Sequence, residues 1–133
     1  MSLPIVTVGA LIHDPLGRFL VIRTHKWRDT YGVPGGKIDE GETMAAALER
    51  EVREETGLVI HDARFVLAQD CVHSSEFYKQ AHFVLLNFSC QSPGGEVVLN
   101  DEAQSYRWVT PAEARLLPLN SFTRVLVDAV HPL

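Results

Sequence analysis

A chain of 133 residues with 46% hydrophobic side chains, twelve basic and seventeen acidic residues and a net charge of −5 is the size of one domain, expected over residues 1–133, with room for a real core. No stretch approaches the ~18 uninterrupted apolar residues of a membrane span, and the first residues lack the basic-then-apolar order of a signal peptide. The acidic balance argues against sequence-independent nucleic-acid binding, and Cys71 and Cys90, far apart and without metal spacing, are expected as reduced, partly buried thiols in a cytoplasmic protein.

In chain order, Ile5 to Ile12 is mostly apolar and β-branched, the pattern of a strand covered on both faces. Asp14-Pro15-Leu16-Gly17 is a turn signal before a second short strand, Phe19 to Ile22, so the two are expected to form a hairpin. Trp27 to Gly36 reads as a loop punctuated by Gly32, Pro34 and Gly35-Gly36. Thr43 is the expected N-cap of a helix from Met44 to Thr56, with Ala45, Leu48 and Val52 as its buried stripe and Gly57 as its left-handed stop. Strand-like runs follow at Phe65–Ala68, His82–Phe88, Val97–Leu99 and Tyr106–Val109. Thr110 caps a short helix beginning Pro111-Ala112-Glu113-Ala114, and Ser121 to Val130 is an amphipathic helix with Phe122, Val125, Leu126 and Ala129 on one side. This order predicts a mixed α/β domain with a helix on each face of a sheet.

The long helix carries the chemistry. At 100° of rotation per residue, Glu51, Glu54 and Glu55 share one narrow arc. Two of them lie in the last turn, where acid opposes the helix dipole at about 0.3–1 kcal/mol. Carboxylates ~5 Å apart repel by roughly 3 kcal/mol at an effective dielectric near 20. A hard divalent cation reverses that sign and brings phosphate oxygens with it, so the arc reads as a metal site for phosphate chemistry. A P-loop is excluded, because Tyr31 stands five residues before Gly36 and Ile38 follows Lys37.

Gly36, Glu42, Arg50, Glu51, Val52, Glu54, Glu55, Gly57 and Leu58 also match every fixed position of the Nudix hydrolase signature, nine positions in a 23-residue window. The chain therefore resembles that family. The resemblance implies an α/β/α sandwich with a mixed sheet and a catalytic loop–helix. It also implies hydrolysis of a diphosphate bond with Mg²⁺ or Mn²⁺. By the same resemblance, the metal ligands are the Gly35 carbonyl and the carboxylates of Glu51, Glu54 and Glu55. Glu51 sometimes serves as base in the family. Glu102, on a loop outside the signature, is the expected base here, so Glu54, Glu51, Glu102 and Arg50 make up the catalytic set. Glu42 and Arg50 are expected to pair and fix the loop to the helix, with Gly36, Glu42 and Gly57 structural. Arg23 and Lys37 are expected to meet substrate phosphates, and Trp27 or Tyr78 to stack on a base. Phe77 is a third aromatic near the loops, while Trp108 is expected in the core.

The short chain and the Pro34-Gly35-Gly36-Lys37 entry look most like the MutT-like branch, the nucleoside-triphosphate pyrophosphohydrolases, with a nucleotide as partner and a monomer or homodimer as the assembly. Subfamilies acting on ADP-ribose, coenzyme A or diadenosine polyphosphates carry extra signals outside the signature, such as a Pro or Tyr about 15 to 18 residues past it; His73-Ser74-Ser75-Glu76 stands there without that mark, with Tyr78 nearby. An ADP-ribose or nucleotide-sugar pyrophosphatase is the alternative reading. Two rivals are a nucleotide sensor that does not hydrolyse, which would have lost a helix glutamate, and an isoprenoid diphosphate isomerase, which would need a placed cysteine.

Overall fold

The computed structural model describes residues 2–133. Seven strands form one mixed sheet: β1 (Ile5–His13), β2 (Phe19–Thr24), β3 (Thr30–Gly32), β4 (Gly35–Lys37), β5 (His61–Val72), β6 (His82–Gln91) and β7 (Ser105–Val109). Three α-helices accompany it: α1 (Met44–Thr56), α2 (Pro111–Arg115) and α3 (Ser121–Val130). The main order is β3-β2-β1-β6-β5, with β1 and β6 parallel over nine residue pairs.

Strand alternation distributes side chains to two layers. Val8, Ala10 and Ile12 of β1, with Leu20 and Ile22 of β2, pack against Ala47, Leu48 and Val52 of α1. Leu11, Phe19 and Val21 point the other way, against Ala114 of α2 and Leu126 and Val127 of α3. The sheet is thus the middle of an α/β/α sandwich, as expected. Thr43 caps α1 through its hydroxyl, which accepts from the Ala46 N–H, a contact worth about 1 kcal/mol. Gly57, at φ 74, ends it.

Four local expectations are corrected. Ala45 is exposed and Ala47 takes its place in the stripe, because Leu48 and Val52 set the rotation of the helix. On α3 the buried face is Thr123, Leu126 and Val127, while Val125 and Ala129 are exposed. Residues 97–99 form no strand: Val97 is buried beneath α1, and the Val98 N–H donates to the Thr56 carbonyl, so the segment packs without an edge to join. The loop from Trp27 to Gly36 contains β3 and β4, three residues each. Cys71 and Cys90 are free and buried, and burial pushes the Cys90 thiol up to about 12.

The expected hairpin is present, but its strands diverge. β1 and β2 are antiparallel in register at His13–Phe19, beside the turn. Further along, β1 pairs with β4 and β6 while β2 pairs with β3 and β7. Each strand has then used both edges, and the two part like a wedge. That opening creates the cleft.

Candidate active site

The cleft has a volume of about 970 Å³. At one end stand Gly35, Gly36, Glu51, Glu54, Glu55 and Glu102. At the other, Trp27, Phe77, Phe83 and Phe122 form an aromatic wall, with Trp27 edge-on to Phe77 at 4.8 Å between centroids.

β4 holds the acidic end together. The Ala10 N–H donates to the Pro34 carbonyl and the Ile38 N–H to the Val6 carbonyl, so alternate residues 34, 36 and 38 face β1. Gly35 therefore directs its main-chain groups away from β1, and its N–H donates to Glu55 Oε1 at 3.1 Å. A side chain has no room at Gly35 and would displace a functional carboxylate at Gly36. A Cβ on Gly35 would lie 2.1 Å from the Val8 carbonyl oxygen, and one on Gly36 would lie 2.5 Å from the Glu51 carboxylate.

Arg50 organises the acids. Its Nε and one NH₂ donate to both oxygens of Glu42, at 2.7 and 2.9 Å. The other NH₂ donates to Glu51 at 3.0 Å and Glu54 at 3.2 Å, and the fork also reaches the Lys37 carbonyl. The guanidinium holds the Glu42 carboxyl down at about 2. Glu55 sits differently. It is only 5% exposed, and burial, opposed by the Gly35 hydrogen bond and reinforced by Glu51 and Glu102, pushes its carboxyl up to about 8. Glu51 is raised as well, chiefly by burial, against the pull of Arg50. This end of the cleft is short of positive charge.

Among the described residues, no three His, Cys, Asp or Glu side chains are grouped as around one ion. Arg50 takes Glu51 and Glu54, while Glu55 turns to Gly35. The donor set nevertheless fits a hard divalent ion. Its groups are all oxygens, and its buried carboxylate resists ionisation when no cation is beside it.

The other expected residues divide. Glu102 lines the cleft and accepts from Lys26 Nζ at 3.0 Å. Lys37, Trp27 and Tyr78 line it too. Arg23 does not: its Nε donates to the Asp29 carbonyl on the outer surface, because strand alternation turns Ile22 and Thr24 inward and Arg23 out. Trp108 is half-buried against the α1-side core. Sequence reasoning missed Lys26, Asn87 and Asn120. An asparagine inside the apolar run from His82 to Phe88 was a usable signal.

A family model described as the NUDIX domain matches residues 3–130. The chain belongs to the Nudix family. A nucleoside triphosphatase, NudI of Salmonella schwarzengrund, is 34% identical over 100 residues, covering 71% of each chain. The MutT NUDIX hydrolase structure from Burkholderia pseudomallei superposes with a TM-score of 0.82 at 26% identity, over 97% of this chain and 99% of the other. The NUDIX hydrolase from Nitrosomonas europaea shares the fold at TM-score 0.81 and 20% identity, over 97% and 89%. This Nudix chain is a hydrolase acting on pyrophosphate bonds of nucleotides, and such enzymes generally use divalent metal ions. Among the described residues no helix is long and apolar enough to cross a membrane.

Proposed function

We propose that this Nudix hydrolase converts a nucleoside triphosphate to the monophosphate and pyrophosphate with Mg²⁺. One observation carries the reading: a single cleft joins a carboxylate cluster on α1 to an aromatic wall, at the two ends a nucleotide would need. The printed activity of its NudI relative, a nucleoside triphosphatase, agrees.

Glu51, Glu54, Glu55 and the Gly35 carbonyl would hold the ion. When bound, it neutralises charge on the phosphates and makes a coordinated water more acidic. The protein's own residues do the rest. Arg50 fixes two of the carboxylates, Lys37 and Lys26 bring positive charge to the phosphate path, and Glu102 collects the proton of the attacking water. Trp27, Phe77 and Phe122 hold the base away from solvent.

The test is a panel of nucleoside triphosphates, ADP-ribose and nucleotide sugars with Mg²⁺, with products read by ³¹P NMR. Monophosphate plus pyrophosphate from a triphosphate, abolished by chelator and restored by Mg²⁺, is the expected result. Faster cleavage of ADP-ribose would replace the substrate assignment, and binding without any turnover would make the domain a sensor.

A further inference from the structure

At the aromatic end of the cleft, Asn87 presents an amide that the protein's own hydrogen bonds use only in part. Asn87 lies on β6 beside Gly9 of β1, is 6% exposed, and lines the cleft. Its Oδ1 accepts from Gln69 Nε2 at 3.0 Å, and the same Nε2 donates to the Phe122 carbonyl at 2.9 Å. A main-chain carbonyl only accepts, so Gln69 must present its NH₂ group there, and Asn87 must then turn its oxygen to Gln69. The amide orientation follows from that chain of partners. Asn87 Nδ2 is left pointing a donor at the cleft, with no protein partner among the described residues. A donor that lines the cleft on a residue only 6% exposed can be hydrated while the cleft is open, and losing that hydration is costly unless a bound group accepts from it. A Cβ on Gly9 would come into contact with Nδ2, at 3.4 Å, so Gly9 lies directly beside this donor.

Asn120 repeats the arrangement at the start of α3. Its Oδ1 accepts the Thr123 N–H at 2.8 Å, and its Nδ2, also without a partner among the described residues, lines the cleft beside Gly32. Both amides thus turn their oxygens away and offer N–H. The walls around them are Leu85, Phe83 and Phe122, shaped for a flat ring rather than for phosphate.

We infer that Asn87, held in place by Gln69, is a specificity-determining donor for the nucleobase and selects a base bearing an oxo group over one bearing an amino group at the same ring position. The inference rests on the nucleotide reading above. An oxo group accepts from Nδ2. An amino group sets N–H against N–H and leaves the buried amide unpaired, the situation in which hydrogen-bonding sites discriminate most strongly.

The probes are two substrate pairs, inosine against adenosine triphosphate and uridine against cytidine triphosphate, compared by kcat/KM. In the ring size that turns over faster, the wild-type protein favours the oxo member by roughly tenfold or more, the scale of one hydrogen bond. Asn87→Leu brings that ratio toward one by raising KM for the oxo substrate with little change in kcat, and Asn87→Asp favours the amino member. Gln69→Leu, on the exposed edge strand β5, moves the ratio the same way as Asn87→Leu and carries the test should that variant not fold. No oxo preference in the wild type, or an unchanged preference in both leucine variants, overturns the inference. Should no triphosphate be hydrolysed, the proposed reaction fails separately. Calorimetric binding of inosine and adenosine monophosphates to wild type and Gln69→Leu then reads the same discrimination, and equal affinities overturn it.

Discussion

The Glu51 carboxylate lies against the bare Cα of Gly36, in space where a Cβ would come within 2.5 Å of its oxygens. Gly36→Ala must therefore push the carboxylate aside, and a flexible side chain can yield without disturbing the fold. Gly35→Ala is a different case, because its Cβ would meet the Val8 carbonyl oxygen at 2.1 Å and the Gly9 Cα at 2.8 Å, both backbone. Gly36→Ala is expected to melt within about 3 °C of wild type yet lose roughly 10- to 100-fold in kcat. Gly35→Ala is expected to lose about 1–3 kcal/mol of stability or more. Thermal melts and steady-state rates separate the two; the reverse assignment would show that Gly36 serves packing rather than the carboxylate.

Arg50 reaches Glu42, Glu51, Glu54 and the Lys37 carbonyl with one planar group. Lysine keeps the charge but cannot satisfy that many directions. Arg50→Lys is expected to lower activity by about 10- to 100-fold, the range for residues that orient ligands, and to raise the Mg²⁺ concentration needed for half-maximal rate. Because Glu42 is held down at about 2 by Arg50, this pair stays ionised above roughly pH 4. An activity profile for the lysine variant that differs from wild type only in height, not in shape, would agree.

Glu102 shares the field of Glu51 and Glu55 and accepts from Lys26 at 3.0 Å. As a base it is expected to lose about 10²-fold or more in kcat on change to glutamine, with the Mg²⁺ dependence unchanged. Lys26→Met removes its partner and is expected to lower kcat by less than the glutamine change does, since the carboxylate itself remains. A fully active Glu102→Gln enzyme would assign proton removal elsewhere.

The helix α1 was legible because its signals are local: a threonine cap, a glycine stop and acids at fixed spacing all sit within it. Its rotation was not, since Ala45 and Ala47 are chemically identical and only tertiary packing of Leu48 and Val52 distinguishes them. The same limit explains Arg23. Its type suited phosphate, but strand parity assigned the inward place to Thr24, whose buried hydroxyl has no partner among the described residues. β3 and β4 escaped because three residues rich in glycine carry no periodicity. Asn87 was visible as a letter out of place in an apolar strand, but the partners that orient it, Gln69 and Phe122, come from β5 and α3.

His13 and His131 face each other through Nε2 atoms 2.9 Å apart, on the far side of the sheet from α1. His13 Nδ1 lies 3.1 Å from the Cys90 carbonyl and so must be the protonated nitrogen there, leaving its Nε2 to accept from His131. His131 is therefore the donor of this bond. A proton added to His131 enters a part-buried site beside Arg115, which donates to the His131 carbonyl and is paired to Asp128 at 3.4 Å. Burial first, then His13 and Arg115, lowers the His131 pKa from its ordinary 6.5. A histidine lowered in the folded state binds its proton more readily when unfolded, so this stability is complete above about pH 6.5 and is lost as pH falls through the folded value. Wild-type Tm is therefore expected to drop between pH 7 and pH 5. His131→Gln keeps a donor but cannot titrate, and its Tm should change less over the same range. Equal pH dependence in the two proteins would place the titrating group elsewhere.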